Sequence, residues 1–360
     1  MVFVGGPRQV GKTHMAQRIL NDSPDGGRYF NWDYDEDRRD IIQKKWDATD
    51  ALLVFDELHK YPRWKSWLKG VYDVSRKRHA FLVTGSARLD LYRKGGDSLM
   101  GRYHYWRLHP FSLDECPKKM TPQEAFHRLM TVGGFPEPFL DGDEREARRW
   151  RRERFDRVLR EDIRDLEPIR NIQLLALFLD SLRHRVGGMI TLSNMAGEIQ
   201  VSPKTAKAWL ALLERMYLVF AVRPYTRSLP RAVLKPPKVY FFDNADVIGD
   251  EGARFENLVA THLLKRVQFV EDRDGYRCDL RYIRDKEGRE IDFVIVKEGE
   301  IEELIEVKHK GENISRSLRY YAERLQPKKV TQIVAKLKRP YSSGKISVID
   351  PVSYFSGAYF

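Results

Sequence analysis

The sequence predicts an α/β chain in which a parallel-sheet core comes first. A helical segment, a helix-turn-helix with a following strand, and a second α/β unit come after it. Three observations predict this order. Apolar strand-like runs alternate with helical stretches from the first residues onward. A glycine-rich loop joins the first run to the first helix, and a helix, meander, helix, strand succession closes the chain.

Val2 to Val4 read as a buried strand and Thr13 to Leu20 as the helix after it. Between them, Gly6 to Thr13 fit G-x-x-x-x-G-K-[ST] in full, the pattern of a phosphate-binding P-loop. Such a loop wraps phosphate with backbone N–H groups, and the positive end of the helix adds to the anion site. The expected nucleotide contacts are Gly6, Pro7, Arg8, Gln9, Val10, Gly11, Lys12, Thr13 and His14. Lys12 reaches the β- and γ-phosphates, and the Thr13 hydroxyl sits on Mg²⁺.

A second run, Ala51 to Phe55, ends in Asp56-Glu57. An apolar strand delivering two acids is the partner signature of such a loop. Asp56 is expected to hold Mg²⁺ through water, and Glu57 to polarise the attacking water. A third run, Ala80 to Thr84, leads to Ser86, which is placed to bond that water or the γ-phosphate. Arg102 precedes the strand Tyr103 to Leu108. It reads either as an arginine finger, in cis or from a neighbouring subunit, or as a surface arginine capping a helix.

The strings GPRQVGKT, FDELHKYPRW, LVTGSARL, LMGR, HPFSLDE and GGFPEPF occur in this order. In this the chain resembles the prokaryotic AAA-type ATPases linked to a DUF4143 C-terminal region. The resemblance implies an ATP-binding and ATP-hydrolysing core with five parallel strands. In such proteins a further segment usually precedes the first strand and helps enclose the adenine. Its lack here leads us to expect a start codon assigned late.

Composition narrows the partners. The 360 residues are 42% hydrophobic and 12% aromatic, enough for real cores, and carry a net charge of +12. That charge suits a polyanion such as DNA. Cys116 and Cys278 lack metal-binding or disulfide spacing, which suits a reducing cytoplasm. No apolar run approaches membrane-spanning length.

Asp143 to Arg170 reads as a helix with Trp150, Phe155, Val158, Leu159 and Ile163 available for one face. Its arginines, Arg148 to Arg154, form a salt-bridged solvated face or else meet nucleic-acid phosphate or a neighbouring nucleotide site. A homo-oligomer is therefore expected to assemble through Arg102 or this helix, if one forms.

Thr191 to Ile199 and Lys204 to Met216 read as two short helices around Ser202-Pro203, a strong start signal. With the strand Leu218 to Val222 they suggest a winged helix-turn-helix. Lys204, Thr205 and Lys207 would then reach a DNA groove first, unless the module packs against protein.

In the last unit a helix opens at Arg254 to Asn257. Strands follow at Cys278 to Arg284, Glu290 to Val296 and Ile301 to Lys308, then a helix near Ser315 and a strand at Val330. That is the order of the restriction-endonuclease-like fold. Glu306 and Lys308 are two apart and share a strand face. A two-residue turn at Glu298-Gly299 would set Asp292 opposite Ile305, on the wrong face. Bringing Asp292 to Glu306 requires an odd loop or a bulge. With that device, Asp292 and Glu306 are expected to hold a second Mg²⁺ or Mn²⁺. Glu256 adds a ligand and Lys308 positions water. The acidic-strand and E-V-K signatures of DUF4143 regions point the same way. The plain alternative is a polar strand face with no chemistry.

The expected domains are 1–120 (ATPase core), 121–175 (helical lid), 176–228 (winged helix-turn-helix) and 229–360 (nuclease-like). The expected function is Mg²⁺-dependent ATP hydrolysis acting on DNA or DNA-bound partners. The alternative is a switch that holds ATP without turnover.

Overall fold

The computed structural model describes residues 1–85, 99–117, 119–159, 171–226 and 235–356. The chain divides into two compact units, Met1–His109 with Arg215–Tyr217, and Pro110–Glu214 with Leu218–Phe360.

The first unit is a five-stranded parallel sheet in the order β2-β3-β4-β1-β5. Its strands are β1 (Val2–Gly5), β2 (Gly27–Asn31), β3 (Leu52–Asp56), β4 (Ala80–Gly85) and β5 (His104–Arg107). Parallel strands are covered on both faces and so read as unbroken apolar runs. β3 fits that rule, with all five of its residues buried. Helices α1 (Lys12–Asn21), α2 (Asp35–Gln43) and α3 (Trp64–Ser75) make the crossovers. On one side Phe3, Phe30, Phe55, Phe81 and Trp64 form an aromatic-rich core. β4 lies between β1 and β3, so the strand carrying the glycine loop and the strand carrying Asp56 are not neighbours.

The second unit joins what the sequence divides into three. Its helices are α4 (Pro122–Thr131), α5 (Pro136–Asp141), α6 (Glu144–Arg157), α7 (Ile172–Arg183), α8 (Leu192–Glu198), α9 (Pro203–Arg215), α10 (Glu251–Asp274), α11 (Arg316–Leu325) and α12 (Pro351–Phe355). Its strands are β6 (Val219–Pro224), β7 (Lys238–Phe241), β8 (Cys278–Arg284), β9 (Glu290–Lys297), β10 (Glu300–Lys308), β11 (Lys329–Val334), β12 (Tyr341–Ser343) and β13 (Ile346–Ile349). β6 pairs antiparallel with β7 and, at Arg223 and Pro224, parallel with β8. One eight-stranded sheet, β12-β13-β11-β10-β9-β8-β6-β7, therefore runs across the expected boundary at 228.

β7 is an edge strand, whose unpaired backbone needs a partner. Asn257 of α10 supplies one. Its Oδ1 accepts from Phe241 N at 2.8 Å, and its Nδ2 donates to Phe241 O at 3.0 Å.

α6 begins at the Asp143 cap, as the sequence suggests, and the residues from 160 to 170 lie outside the described set. Its arginines divide in two. Arg148 and Arg149 are exposed and pair with Glu144 and Glu146 one turn back. Arg154 is buried, 3.9 Å from the centroid of Phe135 and 3.9 Å from both Asp243 Oδ2 and Asp246 Oδ2. That takes Arg154 out of the surface cluster considered for phosphate.

His262 of α10 is buried with both ring nitrogens used. Nδ1 donates to Leu258 O at 2.8 Å and Nε2 accepts from Leu113 N at 3.0 Å. Burial holds the imidazole down at about 4, from an ordinary 6.5. As pH falls, the unfolded chain protonates first, so stability is full above about 6.5 and is lost toward 4, by up to about 3 kcal/mol. Asp243, raised by burial and Asp246 to about 6, works in the opposite sense over an overlapping window. The readout is therefore the difference between wild type and His262→Gln in denaturant titrations across that range. A difference that does not change with pH would sink the assignment.

Candidate functional site

The phosphate loop lies between β1 and α1, at the C-terminal edge of the parallel sheet. Two glycines make its path possible. Gly11 has φ +97° and caps α1, a conformation that carries no steric cost only for glycine. A Cβ on Gly6 would stand 2.2 Å from Leu108 O, so the backbone just after β5 leaves no room for a side chain there. Lys12 is buried, and its ammonium donates to Gly6 O at 3.0 Å and Pro7 O at 2.6 Å. The lysine thus rests on carbonyls of the loop whose phosphates it is expected to bind.

The expected pair on the metal side converges. Thr13 Oγ1 donates to Asp56 Oδ2 at 2.6 Å, across 43 positions of sequence. Two oxygens that meet this closely on a buried carboxylate suit Mg²⁺, which prefers few protein ligands plus substrate phosphate and water. Two further groups were not foreseen. Tyr29 of β2 donates to the same Oδ2 at 2.7 Å, and Thr84 of β4 donates to Oδ1. Burial and the Asp56 charge raise the Tyr29 pKa, so its hydroxyl stays a donor. Thr84 was legible as the lone hydroxyl ending an apolar strand; Tyr29 gave no such signal.

If Tyr29 orients Asp56 for a metal, Tyr29→Phe should weaken Mg²⁺-dependent ATP binding by about 10–100-fold. Titrations with Mg²⁺ and with a chelator would separate the effects. Equal loss under both conditions would make Tyr29 merely structural.

Glu57 follows Asp56 in a left-handed conformation, φ +57°, and its N–H donates to Thr84 O at 3.0 Å. Its carboxylate lies 3.6 Å from Lys60 Nζ and 3.7 Å from His59 Nε2. Lys60 is shared with Asp33 at 2.5 Å, and burial keeps His59 below its ordinary pKa. Arg102 pairs with Asp73 of α3, at 2.9 and 3.3 Å, the surface role weighed against an arginine finger. Ser86 lies outside the described residues.

At the second unit, the bulge that the register demands is present. Glu298 and Gly299 make a two-residue turn, with φ +50° and +88°. The ladder then pairs Val296 with Ile301 but Ile295 with Glu303, so Glu302 is the extra residue. Phe293 pairs with Ile305, which sets Asp292 across from Glu306. Asp292 Oδ2 accepts from Val307 N at 2.8 Å, and Glu306 Oε1 pairs with Lys308 at 3.0 Å.

The metal expected there does not fit. Among the described residues no three His, Cys, Asp or Glu side chains are grouped so as to hold a metal ion. Beside these acids stands Lys238, at the start of the apolar run of β7. Its ammonium, almost wholly buried, lies 2.5 Å from Glu290 Oε1, 3.3 Å from Glu256 Oε1 and 3.6 Å from Asp292 Oδ1. Tyr240 also donates to Glu256 Oε1, at 2.7 Å. Asp292, Glu306 and Glu256 are thus drawn together as a carboxylate cluster around lysines, and Lys308 is the ion-pair partner of Glu306.

Ser202 starts α9 as expected: its Oγ accepts from Thr205 N at 3.0 Å, with Pro203 in the first turn. Lys204 and Lys207 are exposed beside Thr205. Lys207 also lines a cleft with Arg223 and Lys235, which widens the basic edge beyond two lysines.

Residues 1–116 match the family model of an AAA domain. Residues 251–354 match a domain of unknown function, DUF4143, and residues 123–245 another, DUF8612. An uncharacterized protein of Mycobacterium tuberculosis is 23% identical over 243 residues, 68% of this chain and 54% of that protein. An uncharacterized protein of Mycobacterium bovis matches with the same figures. The chain spans about half the length of these curated relatives. Among solved structures, the Aeropyrum pernix ORC1 protein in complex with DNA is similar at 11% identity and a TM-score of 0.31. That match covers 74% of this chain and 87% of that one, a likeness too distant to carry an argument. No helix of the described residues is long and apolar enough to cross a membrane.

Proposed function

We propose that this chain, which carries an AAA domain at residues 1–116 and a DUF4143 domain at residues 251–354, binds and hydrolyses ATP with Mg²⁺ and acts on DNA or with DNA-bound partners. The observation that carries the ATP reading is the meeting of Thr13 and Asp56 beside a complete phosphate loop. In this reading the loop N–H groups from Gly6 to Thr13 and the start of α1 cradle the β- and γ-phosphates. Lys12 exchanges its two loop carbonyls for phosphate oxygens. Thr13 and Asp56 hold Mg²⁺, which neutralises charge between the β- and γ-phosphates when bound. Glu57 takes the proton of the attacking water. Ser86 bonds that water or the γ-phosphate. Arg102, released from Asp73, serves a neighbouring subunit of a homo-oligomer.

DNA contact is assigned to Lys204, Thr205 and Lys207. α8, α9 and the β6–β7 pair support a winged helix-turn-helix there. The bulged β9–β10 hairpin supports a nuclease-like sheet in the last unit, read here as a scaffold without cleavage. A cytoplasmic location suits the free, widely separated cysteines.

The switch reading keeps one specific support. Glu57 is engaged by Lys60 at 3.6 Å, which would withhold the base until that contact breaks. Phosphate release from ATP, set against Lys12→Ala, tests turnover against mere retention.

A further inference from the structure

Four carboxylates meet on the second sheet: Glu256 from α10, Glu290 and Asp292 from β9, and Glu306 from β10. Buried acids need compensating charge or protons. Burial and the neighbouring Glu256 and Glu306 push Asp292 well above the usual carboxylate range. Glu306 is also raised by burial, against the pull of Lys308, Ser315 and Lys238. Glu306 Oε2 is buried with no hydrogen-bond partner among the described residues. The charge of such acids has to be balanced by a cation or by protons.

Here the cation is part of the chain. We infer that the Lys238 ammonium is the resident counter-ion of the cluster and excludes divalent metal from it, so that β7 is tied to α10 and β9 by charge. Three of the four carboxylates lie within 3.6 Å of this one nitrogen. A metal ion seated among the same oxygens would stand next to a second, buried positive charge, which Coulomb repulsion at short range opposes. Lys238 has its ammonium enclosed, with carboxylates of α10 and β9 around it. Its Cα sits on the edge strand, where Lys238 also bridges to Met189, and its partners come from separate elements. The same nitrogen therefore locks the β6–β7 pair to the C-terminal strands.

The test is a Mn²⁺ titration of the nucleotide-free full chain, followed by calorimetry, in an Asp56→Asn background that removes the first unit's carboxylate. With Lys238 in place no Mn²⁺ site should appear. Lys238→Gln should gain one, with a Kd of about 10⁻⁴–10⁻³ M, typical of weak carboxylate sites. Adding Asp292→Asn should abolish it, and Lys238→Arg, which restores a fixed cation, should show none. Mn²⁺ binding with Lys238 present that Asp292→Asn removes would overturn the inference. So would a folded Lys238→Gln variant that gains no site. If Lys238→Gln does not fold, the titration with Lys238 present, with and without Asp292→Asn, decides alone. Because nucleotide is absent throughout, the outcome is independent of whether the first unit hydrolyses ATP.

Discussion

Glu57→Gln is expected to bind ATP as the wild-type chain does and to turn it over about 10²–10⁴-fold more slowly, the usual contribution of a positioned base. The amide keeps the size of the carboxylate, and the backbone bond from residue 57 to Thr84 O does not depend on the side chain. The capacity to accept a proton is lost, together with the charge that faces Lys60. The neighbouring Asp56, with its three hydroxyl donors, keeps the metal side intact. Nucleotide affinity and single-turnover phosphate release measured on one preparation separate the two effects. Equal rates would remove Glu57 from the mechanism, and joint loss of affinity and rate would make it a structural residue.

DNA binding, the second large effect, should be mostly electrostatic. With about six to ten phosphates contacted, affinity is expected to fall by about 10³–10⁵ between low and physiological salt. Replacing Lys204 and Lys207 by glutamate should weaken binding and flatten the salt slope. These two side chains are exposed on the first turns of α9, with Arg223 and Lys235 nearby to add to the field. Binding that ignores salt, or none at low salt, would make this helix pair a protein-contact module.

The first unit was readable because its signals are local. Gly6, Gly11, Lys12 and Thr13 fall within one loop and the first turn of α1, and Asp56-Glu57 end a run whose burial is uniform. Tyr29 was not readable, since Gly27–Asn31 is short and mixed in polarity, and its bond to Asp56 depends on β2 lying beside β3. The bulge at Glu302 was demanded by register arithmetic but could not be placed from composition. Lys238 escaped notice because its partners, Glu256, Glu290 and Asp292, are brought to it by sheet order. The sheet that results takes strands from both sides of position 228. The run from Leu218 looks like the end of one module, yet β6 pairs with β8 of the last unit. Arg154 looked like one more surface arginine, and only the fold shows Phe135, Asp243 and Asp246 around it.

The most direct measurement is inorganic phosphate release from ATP by the purified chain with Mg²⁺, with and without duplex DNA, beside Lys12→Ala. The account predicts release by the wild-type chain that requires Mg²⁺ and Lys12. ATP that binds in a Lys12-dependent way and is recovered intact, with or without DNA, would contradict hydrolysis and leave a nucleotide-held switch.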